Sequence, residues 1–181
     1  MRHAETEWSR AGLHTGRTDV PLTDRGRDRA RELAGRLGGR RFALVLSSPL
    51  SRARETAELA GLGEEAQVRE DLLEWDYGHY EGVTTQEIRA TQPDWYLWRD
   101  GVPGGETAEE VGTRCDRIIQ ELLSVDGDVV VFAHGHVLRA LSARWVEEPV
   151  SLGGRLYLST GALSVLGFER EMRVIRHWNM D

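Results

Sequence analysis

Arg2-His3-Ala4-Glu5-Thr6-Glu7-Trp8 opens the chain by setting a guanidinium beside an imidazole. A neutral ring nitrogen is a nucleophile for phosphorus, and fixed arginine donors hold the oxygens over which negative charge spreads in phosphoryl transfer. An isolated Arg-His pair is more often two solvated side chains, so the reading rests on what else the fold brings to it. Arg52 and His134 each follow a short apolar run: Ala43-Leu44-Val45-Leu46 ahead of Ser47-Ser48-Pro49, and Val129-Val130-Val131-Phe132 ahead of His134-Gly135-His136. Such runs suit strands buried on both faces of a parallel sheet, and open α/β sheets bind ligands beyond the carboxyl ends of their strands. Glu74 follows Leu72-Leu73 and precedes a glycine-containing loop, a context that can hold its carboxylate near the same edge. His134 and His136 lack further ligands at a recognisable metal-site spacing, so no metal is expected.

The intervening segments supply the frame. Ser9 to Thr23 carries Gly12, Gly16 and Pro21 and reads as an extended loop. Thr23 caps a predicted helix with Ala30, Leu33, Ala34 and Leu37 at helical spacing, stopped by Gly38-Gly39. A second helix is predicted from about Leu50 to Leu59. Between Leu72 and Asp100 the aromatics Trp75, Tyr77, Tyr80, Trp95, Tyr96 and Trp98 gather with Glu74, Asp76 and Glu81. Most of these rings are expected to pack a small helical segment over residues 74–107 that covers the site. Glu106-Thr107 leads into a helix whose stripe of Val111, Cys115, Ile118, Ile119 and Leu122 makes Cys115 a core residue. A helix begins near Val137, and Ala162–Phe168 with Met172–Trp178 reads as an antiparallel hairpin finishing the sheet.

Composition narrows the chemistry further. The 181 residues suit one domain, 1–181, and therefore one site. All 23 basic residues are arginine, which excludes a Schiff base and a lysine-bearing nucleotide-phosphate loop. A formal net charge of -7 argues against nucleic acid and anionic membrane as partners. The single cysteine fits a reducing compartment, and no run suits a spanning helix, so a cytoplasmic protein is expected.

RHAETEW, the SSPLSRARETA stretch around Arg52, LLEWDYGHYEG around Glu74 and VVFAHGH around His134 resemble, in that order, the histidine phosphatase superfamily. TEWSRAGLHTGRTDVPLT, EWDYGHYEG and WRDGVPGGET are similar to the branch of actinobacterial acid phosphatases and fungal sedoheptulose-1,7-bisphosphatase. The resemblance implies a phosphoglycerate mutase-like fold, a three-layer α/β/α sandwich with a mostly parallel central sheet. It also implies that His3 is the nucleophile that becomes phosphohistidine, that Arg2, Arg52 and His134 surround the phosphoryl group, and that Glu74 is the proton donor. Ser9, Thr15, Gly16, Tyr77 and Gly135 are then expected to bind substrate. No cofactor is implied, the partner is a small phosphate ester, and a homodimer is left open. The expected reaction is hydrolysis of small phosphomonoesters, sugar phosphates or bisphosphates; the alternatives are a mutase-type phosphotransferase and a silent phospholigand-binding module. The family pattern has an apolar strand immediately ahead of the Arg-His motif. Only Met1 stands there: either the start has been placed too late, the favoured reading, or the chain lacks that strand, and the chain as written is then expected to have a gap or frayed edge in its sheet.

Overall fold

The computed structural model describes residues 1–181. Three parallel strands, β1 (Leu44–Ser47), β2 (Ala66–Val68) and β3 (Val129–Phe132), form a sheet in the order β2-β1-β3. Val45 and Leu46 of β1 and Phe132 of β3 are buried, as continuous apolar runs in a helix-covered sheet must be. β4 (Leu163–Glu169) and β5 (Met172–Met180) form the expected antiparallel hairpin, but as a separate two-stranded sheet. The two sheets are joined only through Met1 to His3. His3 N–H donates to Ala133 O at 2.9 Å, Ala133 N–H to Met1 O at 3.0 Å, and Arg2 N–H to Ala162 O at 3.2 Å. These three residues link the carboxyl end of β3 to the residue just ahead of β4.

Seven helices accompany the strands: α1 (Glu7–Ala11), α2 (Asp24–Leu37), α3 (Ser51–Leu59), α4 (Thr85–Thr91), α5 (Leu97–Asp100), α6 (Ala108–Leu123) and α7 (Gly135–Trp145). None is long and apolar enough to cross a membrane. Thr23 caps α2 by accepting Gly26 N–H, and Thr107 forms a reciprocal capping box with Glu110 at the start of α6. Ala30, Leu33 and Leu37 of α2 are buried, but Ala34 is exposed, because it lies just outside the inward arc of the helix. Cys115 is wholly buried in α6, and burial pushes its thiol up to about 12.

Two features depart from the sequence reading. The loop expected from Ser9 begins instead inside α1, which a Thr6–Ser9 capping box closes at its start and Gly12, at φ 73°, ends. β2 was not foreseen, since Ala66-Gln67-Val68 has neither a long apolar run nor a clear alternation.

Within residues 74–107 lie α4, α5 and a 3₁₀ turn at Gly78–Tyr80. Trp75, Tyr77, Trp95 and Trp98 are buried there, while Tyr96 is exposed. Trp75 meets Trp98 edge-on at 5.4 Å between centroids. The segment entering Glu74 is anchored by Arg114 of α6, whose Nη1 donates to the carbonyls of Asp71 at 2.8 Å and Leu73 at 2.6 Å. Its Nε and Nη2 pair with the Glu106 carboxylate at 2.8 and 3.0 Å. Replacing Arg114 by Met strands a half-buried carboxylate and two carbonyls. Urea unfolding is expected to show a loss of about 3–5 kcal/mol, partly recovered when Glu106→Gln is added; an unchanged midpoint would refute this anchoring role.

Candidate active site

Strand ends and helix starts bring His3, Arg2, Arg52, Glu74 and His134 into one buried cluster. His3 follows the bridge to Ala133, Arg52 lies in the first turn of α3 after β1, and His134 is the cap residue between β3 and α7. The rings of His3 and His134 stand 5.2 Å apart, tilted by 56°. His3 Nδ1 is 2.7 Å from Ala4 O, and a carbonyl only accepts, so Nδ1 carries the hydrogen and Nε2 keeps its lone pair. Nε2 has no protein partner. Burial, then the charges of Arg2 and Arg52, hold the His3 pKa well below 6.5, against the Ala4 carbonyl, which favours the cation. The ring is neutral and fixed in one tautomer.

Arg52 is wholly buried, and four of its five guanidinium N–H groups are bonded within the protein. Its Nη1 donates to Thr18 O at 2.8 Å, and Nη2 to Thr15 O and Gly16 O, both at 3.0 Å. Its Nε donates to His134 Nδ1 at 3.1 Å, which leaves His134 Nε2 to donate to Ser48 Oγ at 2.7 Å. His134 is thereby also neutral; burial, then Arg52, His3 and Arg2, keep its pKa well below 6.5. Arg2 reaches Leu158 O with Nη1 at 2.6 Å, while its Nε is buried without a partner. A buried, unpaired guanidinium N–H is an opening for an anion's oxygen.

Glu74 sits at the start of α7. Oε1 accepts Trp75 N–H at 2.9 Å and Val137 N–H at 2.8 Å, and Oε2 accepts His136 N–H at 2.9 Å. Free amides and the dipole of a helix start both favour a carboxylate there. His136 Nδ1 and Tyr77 Oη are hydrogen-bonded at 2.6 Å, and burial pushes the Tyr77 phenol up, so it stays protonated.

The expected substrate-binding positions fall into different surroundings. Gly16 is pressed between the Trp75 carbonyl and the Glu81 carboxylate, where a Cβ would come within 2.6 Å of either, and Gly135 lets the Arg2 guanidinium lie against the start of α7. Thr15 contributes its carbonyl to Arg52 while its hydroxyl bonds to Leu13 O at 3.0 Å. Ser9 uses its hydroxyl within the α1 capping box, accepting from Thr6 N and donating to Thr6 O. Four further residues were not singled out as site residues by sequence reading: Ser48, Glu81, His14 and Arg139. Glu81 accepts Gly16 N–H at 2.9 Å and Thr18 N–H at 3.0 Å, pinning the loop that holds Arg52. His14 packs on Tyr77 at 4.8 Å and edge-on to Trp95 at 5.6 Å. Of these only Ser48 had a local signal, its place at a strand's carboxyl end.

A parallel sheet presenting a neutral histidine, two buried arginines and a carboxylate at its carboxyl edge defines a phosphoryl-handling α/β protein. The model of the histidine phosphatase superfamily (branch 1) matches residues 1–181. The chain is 44% identical over 178 residues to an acid phosphatase of Mycobacterium tuberculosis, covering 96% of this chain and 87% of that one. It is 37% identical over 177 residues to the sedoheptulose 1,7-bisphosphatase of Saccharomyces cerevisiae, covering 80% of this chain and 65% of that one. Among solved structures, a mycobacterial glucosyl-3-phosphoglycerate phosphatase complexed with VO3 superposes with a TM-score of 0.88 at 29% identity, over 99% of this chain and 96% of that one. The chain belongs to the histidine phosphatase superfamily and is a phosphatase of that family.

Buried neutral histidines couple stability to pH, His3 and His134 among them, with His14 and His136 shifted the same way. Unfolded histidines titrate near 6.5, whereas His3 and His134 titrate well below that when folded, so acid protonates the unfolded state first. Stability is complete above pH 6.5 and falls as pH drops from there toward the folded pKa values, at up to about 3 kcal/mol per pH unit for the pair. Urea midpoints at pH 7.5, 6.5 and 5.5 are expected to show the decline only below 6.5, with a flatter profile for His3→Gln/His134→Gln. Equal slopes would refute it.

Proposed function

We propose that the chain hydrolyses small phosphomonoesters through a phosphohistidine on His3, without a metal. The observation that carries this reading is the unpartnered Nε2 of His3, its tautomer set by Ala4 O, together with the unpartnered Nε of Arg2, the residue before it. In the first step His3 Nε2 attacks phosphorus, the N–P bond forms and the P–O bond to the alcohol breaks. Arg2 and Arg52 hold the non-bridging oxygens, and His134 keeps Arg52 in place. Glu74, protonated, gives its proton to the departing alkoxide. In the second step the ionised Glu74 takes a proton from water as that water attacks phosphorus, the N–P bond breaks and phosphate leaves.

The substrate we infer is a sugar phosphate or bisphosphate. Relatives named for sedoheptulose 1,7-bisphosphate and glucosyl-3-phosphoglycerate support it, as does Arg139. That guanidinium lies over Trp98 at 4.9 Å, gives Nε to Gly153 O at 2.8 Å and enters no ion pair. Trp98 in turn lies 5.5 Å from His136. Arg139 is placed to receive a second anionic group of the substrate. Residues 74–107 act as the cover that excludes water from the reacting centre, and the single buried cysteine suits work in the cytoplasm.

Phosphate release from an aryl phosphate, 3-phosphoglycerate and sedoheptulose 1,7-bisphosphate, with chelator present, tests the reading. His3→Ala is expected to abolish release with the fold intact; retained turnover would sink the nucleophile assignment. Glu74→Gln is expected to slow alkyl phosphates by about 10²–10⁴-fold and aryl phosphates much less, since aryl oxides leave without protonation. Arg139→Gln is expected to lower kcat/KM for the bisphosphate by about 10- to 100-fold relative to the aryl phosphate, the worth of a charged hydrogen bond. Equal losses on both would remove Arg139 from substrate recognition.

A further inference from the structure

Two histidines near Glu74, His14 and His136, take no part in the two steps described. His14 belongs to the loop that holds Arg52, and its backbone is fixed from the far side: its N–H donates to Val83 O at 3.0 Å and its carbonyl accepts Gly82 N–H at 2.9 Å. His136 lies in the first turn of α7, with Nδ1 3.9 Å from Glu74 Oε2. The two rings are stacked, 6.4 Å apart between centroids and tilted by 26°. Both pack on Tyr77, at 4.8 and 5.8 Å, while Trp95 meets His14 edge-on and Trp98 backs His136. The Glu74 carboxylate is near enough to His14 for its charge to act on that ring.

The hydrogens of these rings are set in opposite senses. His14 Nδ1 is 2.6 Å from Val83 O, which only accepts, so Nδ1 carries the hydrogen and Nε2 a lone pair. The protonated Tyr77 phenol has His136 Nδ1, at 2.6 Å, as its one acceptor, so His136 carries its hydrogen on Nε2. Burial lowers both rings from 6.5, and both are neutral near neutral pH. Neither Nε2 meets a protein partner, and neither is sealed from solvent, because Arg2 Nε is the one unpartnered side-chain atom that is. One ring thus offers an acceptor, and its stacked neighbour a donor.

We propose that His14 and His136 are specificity-determining residues that read a hydroxyl of the leaving alcohol close to its phosphorylated carbon, His14 Nε2 accepting the hydroxyl hydrogen and His136 Nε2–H donating to the hydroxyl oxygen. The inference rests on the reading of the chain as a phosphatase whose Glu74 protonates the leaving oxygen, since it is Glu74 that puts the alcohol beside these rings. A hydroxyl is at once donor and acceptor, and it alone among common substituents suits both nitrogens. A carboxylate faces a lone pair at His14, an ammonium faces an N–H at His136, and a methyl group leaves both unpaired. Rings held by Val83, Tyr77, Trp95 and Trp98 need no ordering when the alcohol arrives, so the preference is built in before binding. The substrate class is a polyol phosphate rather than a plain alkyl or aryl phosphate.

The test compares 2-hydroxyethyl phosphate with propyl phosphate, which exchange a hydroxyl for a methyl group at the same place. Calorimetry on His3→Ala reads binding without turnover, and phosphate release by the unaltered enzyme reads kcat/KM. Both are expected to favour the hydroxyethyl ester by about 10- to 100-fold, the worth of two neutral hydrogen bonds. His14→Phe, which keeps a ring on Tyr77 but has no acceptor, is expected to bring the ratio of kcat/KM values close to one, and His14→Gln, with a neutral acceptor, to restore part of it. A merely structural role would lower both esters alike and leave their ratio unchanged. Preferential binding without phosphate release would sink the phosphatase reading while upholding the hydroxyl site. Equal binding of the two esters, no binding of either, or a ratio that survives His14→Phe overturns the proposal.

Discussion

The buried guanidinium of Arg52 is the contact on which the rest of the site depends. A cation so enclosed is costly unless its donors are matched, and here three carbonyls of one loop and one imidazole match them. The loop could not stay folded over the charge without Glu81, whose carboxylate takes the amides of Gly16 and Thr18. The acceptors that Arg52 now uses are neutral peptide oxygens and a ring nitrogen. A phosphoryl oxygen is a charged acceptor and makes a stronger bond to a guanidinium than a peptide oxygen does.

The same cations set the state of the nucleophile. Arg2 and Arg52 both disfavour a protonated His3, adding to the effect of burial. One arrangement therefore attracts an anion and keeps the attacking nitrogen free of a proton. Glu74 supplies the opposing charge, raising the pKa of Arg2 and Arg52 against the desolvation that lowers them. Its own charge rests on backbone amides of α7 rather than on either arginine. Separating the carboxylate's supports from the guanidinium's leaves both free to act on a substrate.

Much of this arrangement could be read from residue order. Strand runs ending in Ser47-Ser48 and His134 predict side chains at one sheet edge, and the Thr23 and Thr107 caps mark their helices. What the sequence concealed were contacts made by chain-distant partners. Glu81 reads as one acid among several until the fold carries it to Gly16, and His14 until the fold sets it on Tyr77. Helix α1 has no apolar stripe and is defined by a local hydroxyl exchange between Thr6 and Ser9. Strand β2 exists because β1 offers it an edge, with Val45, Leu46 and Ser47 opposite Ala66, Gln67 and Val68. Its own three residues show little intrinsic preference.

Thr56 explains why nucleophile and clamp keep their relation. It is wholly buried, accepts Ala4 N–H at 3.1 Å and donates its hydroxyl to Arg52 O at 2.6 Å. The peptide it grips on one side carries Ala4, whose carbonyl orients the His3 ring; the peptide on the other belongs to Arg52. Donation to the carbonyl four residues back is a habit of buried helical threonines. Here the lone pair left over fastens the helix to the first residues of the chain. Any small shift of α3 therefore draws Arg52 and the His3 peptide the same way, and the spacing between guanidinium and imidazole is kept.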